Sequence, residues 1–568
     1  MFSKSYDLER IHSQQTTDLI LKNGAIYTVD GTGSWAEALV IDKSGKLVYV
    51  GDDEGTKELA DVNTTIIDLE GKMVLPGFVD SHTHVTLGSV TNLFSLNLTG
   101  ITSLEECLQA LREFRKENAK AQVIRGRGWD DTIFSSSIPI KKILDNVISD
   151  VPVILYSETQ HSAWVNSKAL EIAEITMDTP NPTGAVIERD AAGEPNGILR
   201  EFGAFDLIES QLPSYTIEEY TAGIQYYQSM ANAFGITTAH DPMLHSGGND
   251  LEAIRKAEES GLLNMRILGS LLTEPDRGVE QVAELVKEKN NNNGALFMVN
   301  SAKIFMDGVV EANTAYLKEP YENMPDFYGE LIWSPEEMDK ICSALDKEGF
   351  QIHVHAIGDA ALSNTLNSFA HMINTNGNRD ARHQITHLQL VDSKDIKRFY
   401  ELGVIGIPQP YWFIKFPYYS ISLANLGQER AEREFPMKSF IDAGVVMASA
   451  SDYPILHDVH PCNPLIGIQA GISRDKLDPN DPADILWREE RVNLEDMISS
   501  FTINGAYANF IESITGSIEI GKMADLIILD KNLFEIPVKE INKVKVLMTF
   551  FQGKEIYRNN SFEPLIYK

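Results

Sequence analysis

Cysteine is scarce in this sequence. Among 568 residues there are three cysteines, Cys107, Cys342 and Cys462, and none of them forms a Cys-x-x-Cys pair. An odd, widely spaced set of this kind does not indicate a disulfide framework or a thiolate zinc site. Reduced thiols are typical of the cytosol, so we expect a cytoplasmic protein.

Positive charge and long apolar runs are also in short supply. Lysine and arginine number 49 against 82 aspartate and glutamate residues, for a formal net charge of -33. Nucleic acids and anionic membrane surfaces are bound through basic patches, so we expect neither as a partner. No apolar run is long enough to span a bilayer, and residues 1–7 lack the apolar core of a signal peptide.

A dinucleotide-binding motif and a serine-nucleophile motif are missing as well. No Gly-x-Gly-x-x-Gly follows the first strand of the central region, which argues against a dinucleotide site there. No Gly-x-Ser-x-Gly occurs, which argues against a serine hydrolase.

What the sequence does contain is a repeated unit in its central region. A capped helix ends at a glycine and a short apolar strand follows, as where Thr216 and Glu219 start a helix that ends at Gly235. Alternating strands and helices predict parallel pairing, and eight strands close a barrel. We therefore predict an α/β fold, a (β/α)8 TIM barrel, with an open doubly wound sheet as the rival. The eight candidate strands are residues 74–80, 236–241, 266–271, 302–306, 351–355, 384–387, 404–407 and 445–452.

The rest of the chain predicts two additions to the barrel. Residues 1–73 and 512–568 both consist of short strands and turns, and we expect them to form one small β-sandwich domain. The barrel is then residues 74–511. The connection after its first strand, at about 87–215, is too long for a single loop and has its own helix and strand. It predicts an inserted α/β subdomain over the mouth of the barrel.

Ligand-type side chains stand at the predicted strand ends. Side chains at i and i+2 of a strand share a face, so His82 and His84 point the same way. Active sites of such barrels lie at the C-terminal ends of the strands, and a set of histidine and carboxylate ligands suits Zn²⁺ or a similar divalent ion. His353 shares a face with His355 and is either a second chelating residue or, as we favour, a deeper supporting residue. The candidate metal ligands are His82, His84, Lys303, His355, His387 and Asp452.

Four further residues are candidates for substrate binding. The insertion supplies Trp129 (followed by Asp130 and Asp131), His161 and Glu201, and Gln409 follows the seventh strand, close to Trp412. Aromatic residues near the mouth would form an apolar pocket. The alternative is that Trp129 and Trp412 belong to the cores of the insertion and the lid.

Several segments together resemble a known family. They are PGFVDSHTH (76–84), QHSAWVNS (160–167), KIFMDG (303–308), HAIGD (355–359) and SDYP (451–454). The chain resembles the YtcJ-like branch ("amidohydrolase 3") of the amidohydrolase superfamily, which is similar to N-substituted formamide deformylases. Ala450 is a departure, because the family usually has glycine there.

The resemblance implies a role for each candidate ligand. His82 and His84 would hold one metal, His355 and His387 a second, and Lys303 would bridge them as a CO₂-derived carbamate. Asp452 would touch the first metal and carry the proton as the catalytic residue. Zinc is the expected ion, and one or two ions remain open.

The expected function is hydrolysis of a linear, non-peptide amide C–N bond of a small molecule through a metal-activated hydroxide. A deaminase or cyclic-amide hydrolase, or a catalytically silent metal-binding relative, is the alternative. Whether the protein is a homodimer stays open.

Overall fold

The computed structural model describes residues 17–129, 133, 140–158, 161–182, 184–415, 419–455, 461–478, 480 and 482–567. The predictions made for residues 1–7, Asp130, Asp131 and Gln160 lie outside the described residues. None of the helices that the structure describes is long and apolar enough to cross a membrane.

The strands and helices follow one another along the chain in this order. The strands are β1 (Thr17–Lys22), β2 (Ala25–Tyr27), β3 (Trp35–Ala36), β4 (Ala38–Asp42), β5 (Leu47–Gly51), β6 (Thr65–Asp68), β7 (Met73–Pro76), β8 (Phe78–Asp80), β9 (Leu96–Asn97), β10 (Ile124–Trp129), β11 (Val153–Ser157), β12 (Ser162–Val165), β13 (Val186–Arg189), β14 (Pro195–Arg200), β15 (Ile236–Leu244), β16 (Arg266–Leu272), β17 (Phe297–Phe305), β18 (Gln351–Ala356), β19 (Gln384–His387), β20 (Ile405–Ile407), β21 (Leu526–Leu529), β22 (Val546–Phe551), β23 (Lys554–Arg558) and β24 (Leu565–Tyr567). The α-helices are α1 (Val85–Phe94), α2 (Leu104–Glu117), α3 (Ile140–Asp145), α4 (Ser167–Ile172), α5 (Phe202–Glu209), α6 (Ile217–Ala233), α7 (Asn249–Glu259), α8 (Val282–Asn291), α9 (Pro335–Lys347), α10 (Asp359–Asn376), α11 (Ser393–Leu402), α12 (Tyr419–Leu426), α13 (Gln428–Ala431), α14 (Lys438–Asp442), α15 (Pro464–Ser473), α16 (Leu494–Ser500) and α17 (Ile503–Ala508). Short 3-10 helices occupy Glu54–Thr56, Pro275–Gln281, Pro410–Trp412, Arg488–Glu490 and Val538–Lys543.

A curled parallel sheet forms the centre of the molecule. Its seven strands lie in the order β8–β15–β16–β17–β18–β19–β20, and each neighbouring pair is parallel. Local sequence signals start the helices between them. Thr216 and Glu219 form a capping box at the start of α6, and Ser334 and Glu337 form another at α9. The prediction of a barrel-like α/β fold is confirmed.

The eighth barrel strand differs from the prediction. Residues 445–452 form no regular strand, but they lie between β20 and β8 and bond to both. Met447 pairs in parallel with Gly406, and Asp452 N donates to His82 O over 2.8 Å. The segment ends at Asp452, whose φ of 54° lies in the left-handed region.

The predicted first strand, residues 74–80, is divided at Gly77. β7 ends at Pro76 and pairs with β2 and β21, whereas β8 starts at Phe78 and pairs with β15. A Cβ at Gly77 would lie 2.3 Å from Thr237 Oγ1, so only glycine allows this close approach of chain segments. The barrel therefore begins immediately after Gly77.

Strands from both ends of the chain combine in two further sheets. Their orders are β24–β6–β1–β4–β5 and β23–β22–β21–β7–β2–β3. One hydrophobic cluster joins Leu21 and Ile41 of the first sheet to Val74, Ile528 and Met548 of the second.

A fourth sheet lies between α1 and α6 in sequence. Its order is β13–β14–β12–β11–β10–β9, with parallel and antiparallel pairs, and two separate hydrophobic clusters pack against it. It supplies residues to the mouth of the barrel, as described below.

Candidate metal centre

One cavity opens at the C-terminal ends of the barrel strands. All six predicted ligands line it, and we call these six residues the floor: His82, His84, Lys303, His355, His387 and Asp452. His82 and His84 follow the end of β8, and Asp452 comes from the irregular eighth segment. Lys303, His355 and His387 come from β17, β18 and β19, so the barrel brings together residues that are far apart in sequence.

His82, His84 and Asp452 form the tightest group of the floor. Asp452 Oδ1 lies 3.3 Å from His82 Nε2 and 3.4 Å from His84 Nε2. One potential ligand atom from each of the three lies within 4.8 Å of the others. Burial alone would raise the pKa of Asp452, but a hydrogen bond to His84 and the nearby His387 outweigh it and lower that pKa.

Asp80 holds this group in place, a role that the sequence reasoning did not assign. Its carboxylate accepts from Ser451 N over 2.9 Å and from Ser451 Oγ over 2.5 Å. Burial raises the pKa of Asp80 to about 7. The only sequence signal was its position at the end of the first barrel strand, two residues before His82.

His355 and His387 form the opposite side of the floor, with ring centroids 4.5 Å apart. His355 Nε2 donates to the Gly308 carbonyl over 3.1 Å. His387 Nδ1 lies 2.9 Å from Gln409 Oε1 and donates to it, because the Gln409 amide nitrogen faces Thr386 Oγ1 and the Ile407 carbonyl. A neutral imidazole has one donor and one acceptor, so His355 Nδ1 and His387 Nε2 keep lone pairs.

Gln409 was predicted to bind substrate. The structure buries it completely and places it behind His387 rather than among the residues that line the cavity. Its observed contacts are those of a residue that supports His387.

Lys303 is fully buried on the floor. Its Nζ has no hydrogen-bond partner among the described residues and lies 4.5 Å from the centroid of the Phe305 ring. Burial lowers the pKa of Lys303 to about 7. A buried amine without a hydrogen-bond partner is unfavourable, so Lys303 Nζ fits a site in which a further group binds to it.

The insertion contributes His161 to the cavity. His161 Nδ1 lies 2.7 Å from Glu201 Oε2, and Glu201 Oε1 accepts from Thr314 Oγ1 over 2.5 Å. Burial lowers the pKa of His161, but Glu201 outweighs burial and the net shift is upward. His161 lines the cavity and Glu201 lies behind it, with a φ of 66°.

The two tryptophans named in the sequence lie in different places. Trp129 is in the hydrophobic core of the insertion, where its indole N–H donates to the Leu155 carbonyl over 2.6 Å. This position corresponds to the alternative of a core residue, since Trp129 does not line the cavity. Trp412 does line it and stacks on His387, with ring centroids 5.6 Å apart.

Sequence reasoning missed two carboxyl groups above the floor, the half-buried Glu311 and the buried Glu434. Glu434 Oε1 accepts from Gln389 Nε2 over 2.7 Å, and burial raises the pKa of Glu434 to about 8. Neither glutamate stands at a barrel strand end, so the strand-end pattern gave no signal for them. We call the following lining residues the wall: Phe202, Met243, Glu311, Trp412, Glu434 and Phe435.

A barrel with imidazole and carboxylate groups at its strand ends is the architecture of a metal-dependent hydrolase. Comparison with known proteins agrees. Residues 65–557 match the amidohydrolase family, and the chain belongs to this family.

Three relatives illustrate the match. The chain is 30% identical to the putative amidohydrolase YtcJ of Bacillus subtilis, over 95% of this chain and 99% of that protein. It is 24% identical to the N-substituted formamide deformylase of Arthrobacter pascens, over 95% and 98% of the two chains. Among solved structures, an uncharacterized metal-dependent hydrolase from Pyrococcus horikoshii has a TM-score of 0.73 at 26% identity, covering 92% of this chain and 99% of that one. The protein is therefore a YtcJ-like, metal-dependent hydrolase that acts on carbon–nitrogen bonds.

Proposed function

We propose that this protein hydrolyses a linear, non-peptide amide of a small molecule, using zinc held on the floor. The observation that carries the proposal is the convergence of all six floor residues on one cavity, with an unpartnered buried amine among them. Imidazole and carboxylate donors of this kind suit Zn²⁺.

The donor set divides into two parts. His82, His84 and Asp452 would hold the first ion, since their ligand atoms are already close together. His355 and His387 would hold a second ion through the nitrogens left free by Gly308 and Gln409. Lys303 would lie between them as a carbamate, formed when its neutral amine adds CO₂ and releases a proton. An ammonium group at that position would repel both cations.

The chemistry can be assigned to the residues of this chain. A bound zinc ion would polarise the carbonyl of the substrate and lower the pKa of a bound water to about 7. Asp452, whose pKa is lowered, accepts a proton from the attacking water and returns it to the leaving nitrogen as the C–N bond breaks. The products are then a carboxylic acid and an amine.

The wall supports a substrate with an apolar body. Phe202, Met243 and Phe435 line the cavity with Trp412, and His161, which also lines it, would hold a polar group of the substrate. Similarity to an N-substituted formamide deformylase supports an open-chain amide over a cyclic one.

An activity screen on metal-analysed protein tests this proposal. The panel contains N-formyl, N-acetyl and N-acyl-amino-acid amides, cyclic ureides and aminopurines, each with and without added zinc. We expect zinc-dependent release of amine from the open-chain amides. Turnover confined to ureides would assign a cyclic-amide hydrolase, and turnover confined to aminopurines a deaminase. No bound metal and no turnover on any panel would overturn the proposal.

A further inference from the structure

The barrel interior directly below the floor is polar, whereas TIM-barrel interiors are usually filled by branched apolar side chains. His240, His353 and Gln384 are each at most 1% exposed, and the rings of His240 and His353 lie 5.1 Å apart. Buried polar groups are costly unless each hydrogen bond is satisfied, so the direction of every bond in this layer carries information.

The direction of the bonds is set at Ala508, the last residue of α17. Gln384 Nε2 donates to the Ala508 carbonyl over 2.9 Å, and a carbonyl can only accept. The amide of Gln384 is thereby oriented, and its Oε1 lies 2.5 Å from His353 Nδ1. Because Oε1 can only accept, His353 carries its proton on Nδ1.

The same rule then fixes His82. A neutral imidazole has one N–H and one lone pair, so His353 Nε2 must accept. Its partner is His82 Nδ1, 2.7 Å away, which therefore carries the proton. The lone pair of His82 is left on Nε2, the atom that lies 3.3 Å from Asp452 Oδ1.

We propose that His353 is a positioning residue which, together with Gln384 and the Ala508 carbonyl, holds His82 in the Nδ1–H tautomer that can bind a metal through Nε2. His355 and His387 each have their far nitrogen bonded directly to one fixed acceptor, whereas His82 is fixed through a relay of two side chains. The inference rests on the proposed metal site at His82, and it adds a role for a residue that binds neither metal nor substrate.

Zinc affinity, measured by competition with a chromogenic chelator, tests the relay without any substrate. His353→Leu removes the acceptor for His82 Nδ1 and should weaken the tighter zinc site by about 10- to 100-fold, the usual effect of losing such a partner. His353→Gln places an amide oxygen near the position of Nε2 and should restore most of that affinity. Gln384→Leu leaves His353 free to change tautomer, so it should weaken zinc binding by an intermediate factor. It also serves as the test variant if His353→Leu does not fold.

His240 provides the matched control. It is as deeply buried as His353 and its ring packs against that of His353 at a 45° tilt, but its nitrogens bond Asn509 and Ser270 rather than a floor residue. His240→Leu should lower the thermal unfolding midpoint and leave zinc affinity unchanged.

The outcomes separate this inference from the proposed function. Equal zinc loss in His353→Leu and His240→Leu, or no rescue by His353→Gln, would reduce His353 to a packing residue and overturn the inference. Wild-type affinity in His353→Leu would also overturn it. Failure of the wild-type protein itself to bind zinc would instead remove the metal site on which both rest.

Discussion

The floor and the wall of this cavity are built on different principles. Floor histidines come from the ends of the first, fifth and sixth barrel strands, and hydrogen bonds from behind hold them, as Gln409 holds His387 over 2.9 Å. The wall comes mainly from the insertion and from connecting segments, with Met243 added by β15, and it combines aromatic rings with carboxyl groups such as the buried Glu434. A preorganised floor is what a shared chemistry needs, whereas a wall drawn from connecting segments can differ between relatives without disturbing it.

Among substitutions in the floor and the wall, Asp452→Asn should lower kcat the most. The amide keeps an oxygen toward the metal but cannot accept the proton, so we expect kcat to fall by about 10²- to 10⁴-fold, the range for loss of a general base. Elemental analysis should find zinc retained.

Asp395→Asn is the matched control for Asp452. Asp395 is a buried carboxylate on α11 that bonds Lys318 and Arg398 outside the cavity. Its substitution should leave kcat unchanged. Full activity in Asp452→Asn would show that Asp452 does not transfer the proton.

A smaller effect is expected from Trp412→Ala, which removes a ring that lines the wall and stacks on His387. Loss of that apolar contact should lower kcat/KM for the best substrate of the screen by about 10- to 100-fold. Zinc content should not change.

Trp129→Phe completes this comparison, because Trp129 lies in the core of the insertion. It should lower the thermal unfolding midpoint and leave kcat/KM within about twofold of wild type, as for substitutions away from the reacting atoms. If Trp129→Phe lowered kcat/KM as much as Trp412→Ala, the insertion core would have to be included in the substrate site.

The floor could be predicted from the sequence because its signals are local. Gly235, Gly349 and Gly403 all follow helices and have positive φ values of 81°, 73° and 65°, so each marks where a helix ends and a barrel strand begins. Once the strands are located, the ligand-type residues at their ends follow from the topology of a parallel barrel.

Most of the wall, and the hydrogen bonds that support the floor, could not be predicted in this way. Glu434 faces the cavity because of how a long connection folds, and no periodic pattern marks it. His353 was expected to lie below the floor, but its hydrogen bonds were not predicted, and Gln409 was assigned a different role. The orientation of both depends on partners such as His387, Gln384 and Ala508 that the barrel alone brings near. The positive φ of Asp452 was likewise not predicted, and the bond from Asp452 N to His82 O is made only once the barrel has closed.

Glu434 allows the last and smallest test of the wall. Its pKa of about 8 in the folded protein, against an ordinary value of 4.5, means that the folded protein holds a proton that the unfolded chain releases between these pH values. Stability from this group is therefore present at low pH and lost as pH rises through about 8. Glu434→Gln stays neutral and still accepts from Gln389, so its unfolding midpoint should fall less than that of wild type between pH 6 and pH 9. Glu432→Gln, at an exposed position two residues earlier, should keep the wild-type difference. An unchanged pH dependence in Glu434→Gln would mean that this carboxyl group is ionised in the wall, and a substrate with a cationic group would then be favoured over a wholly apolar one.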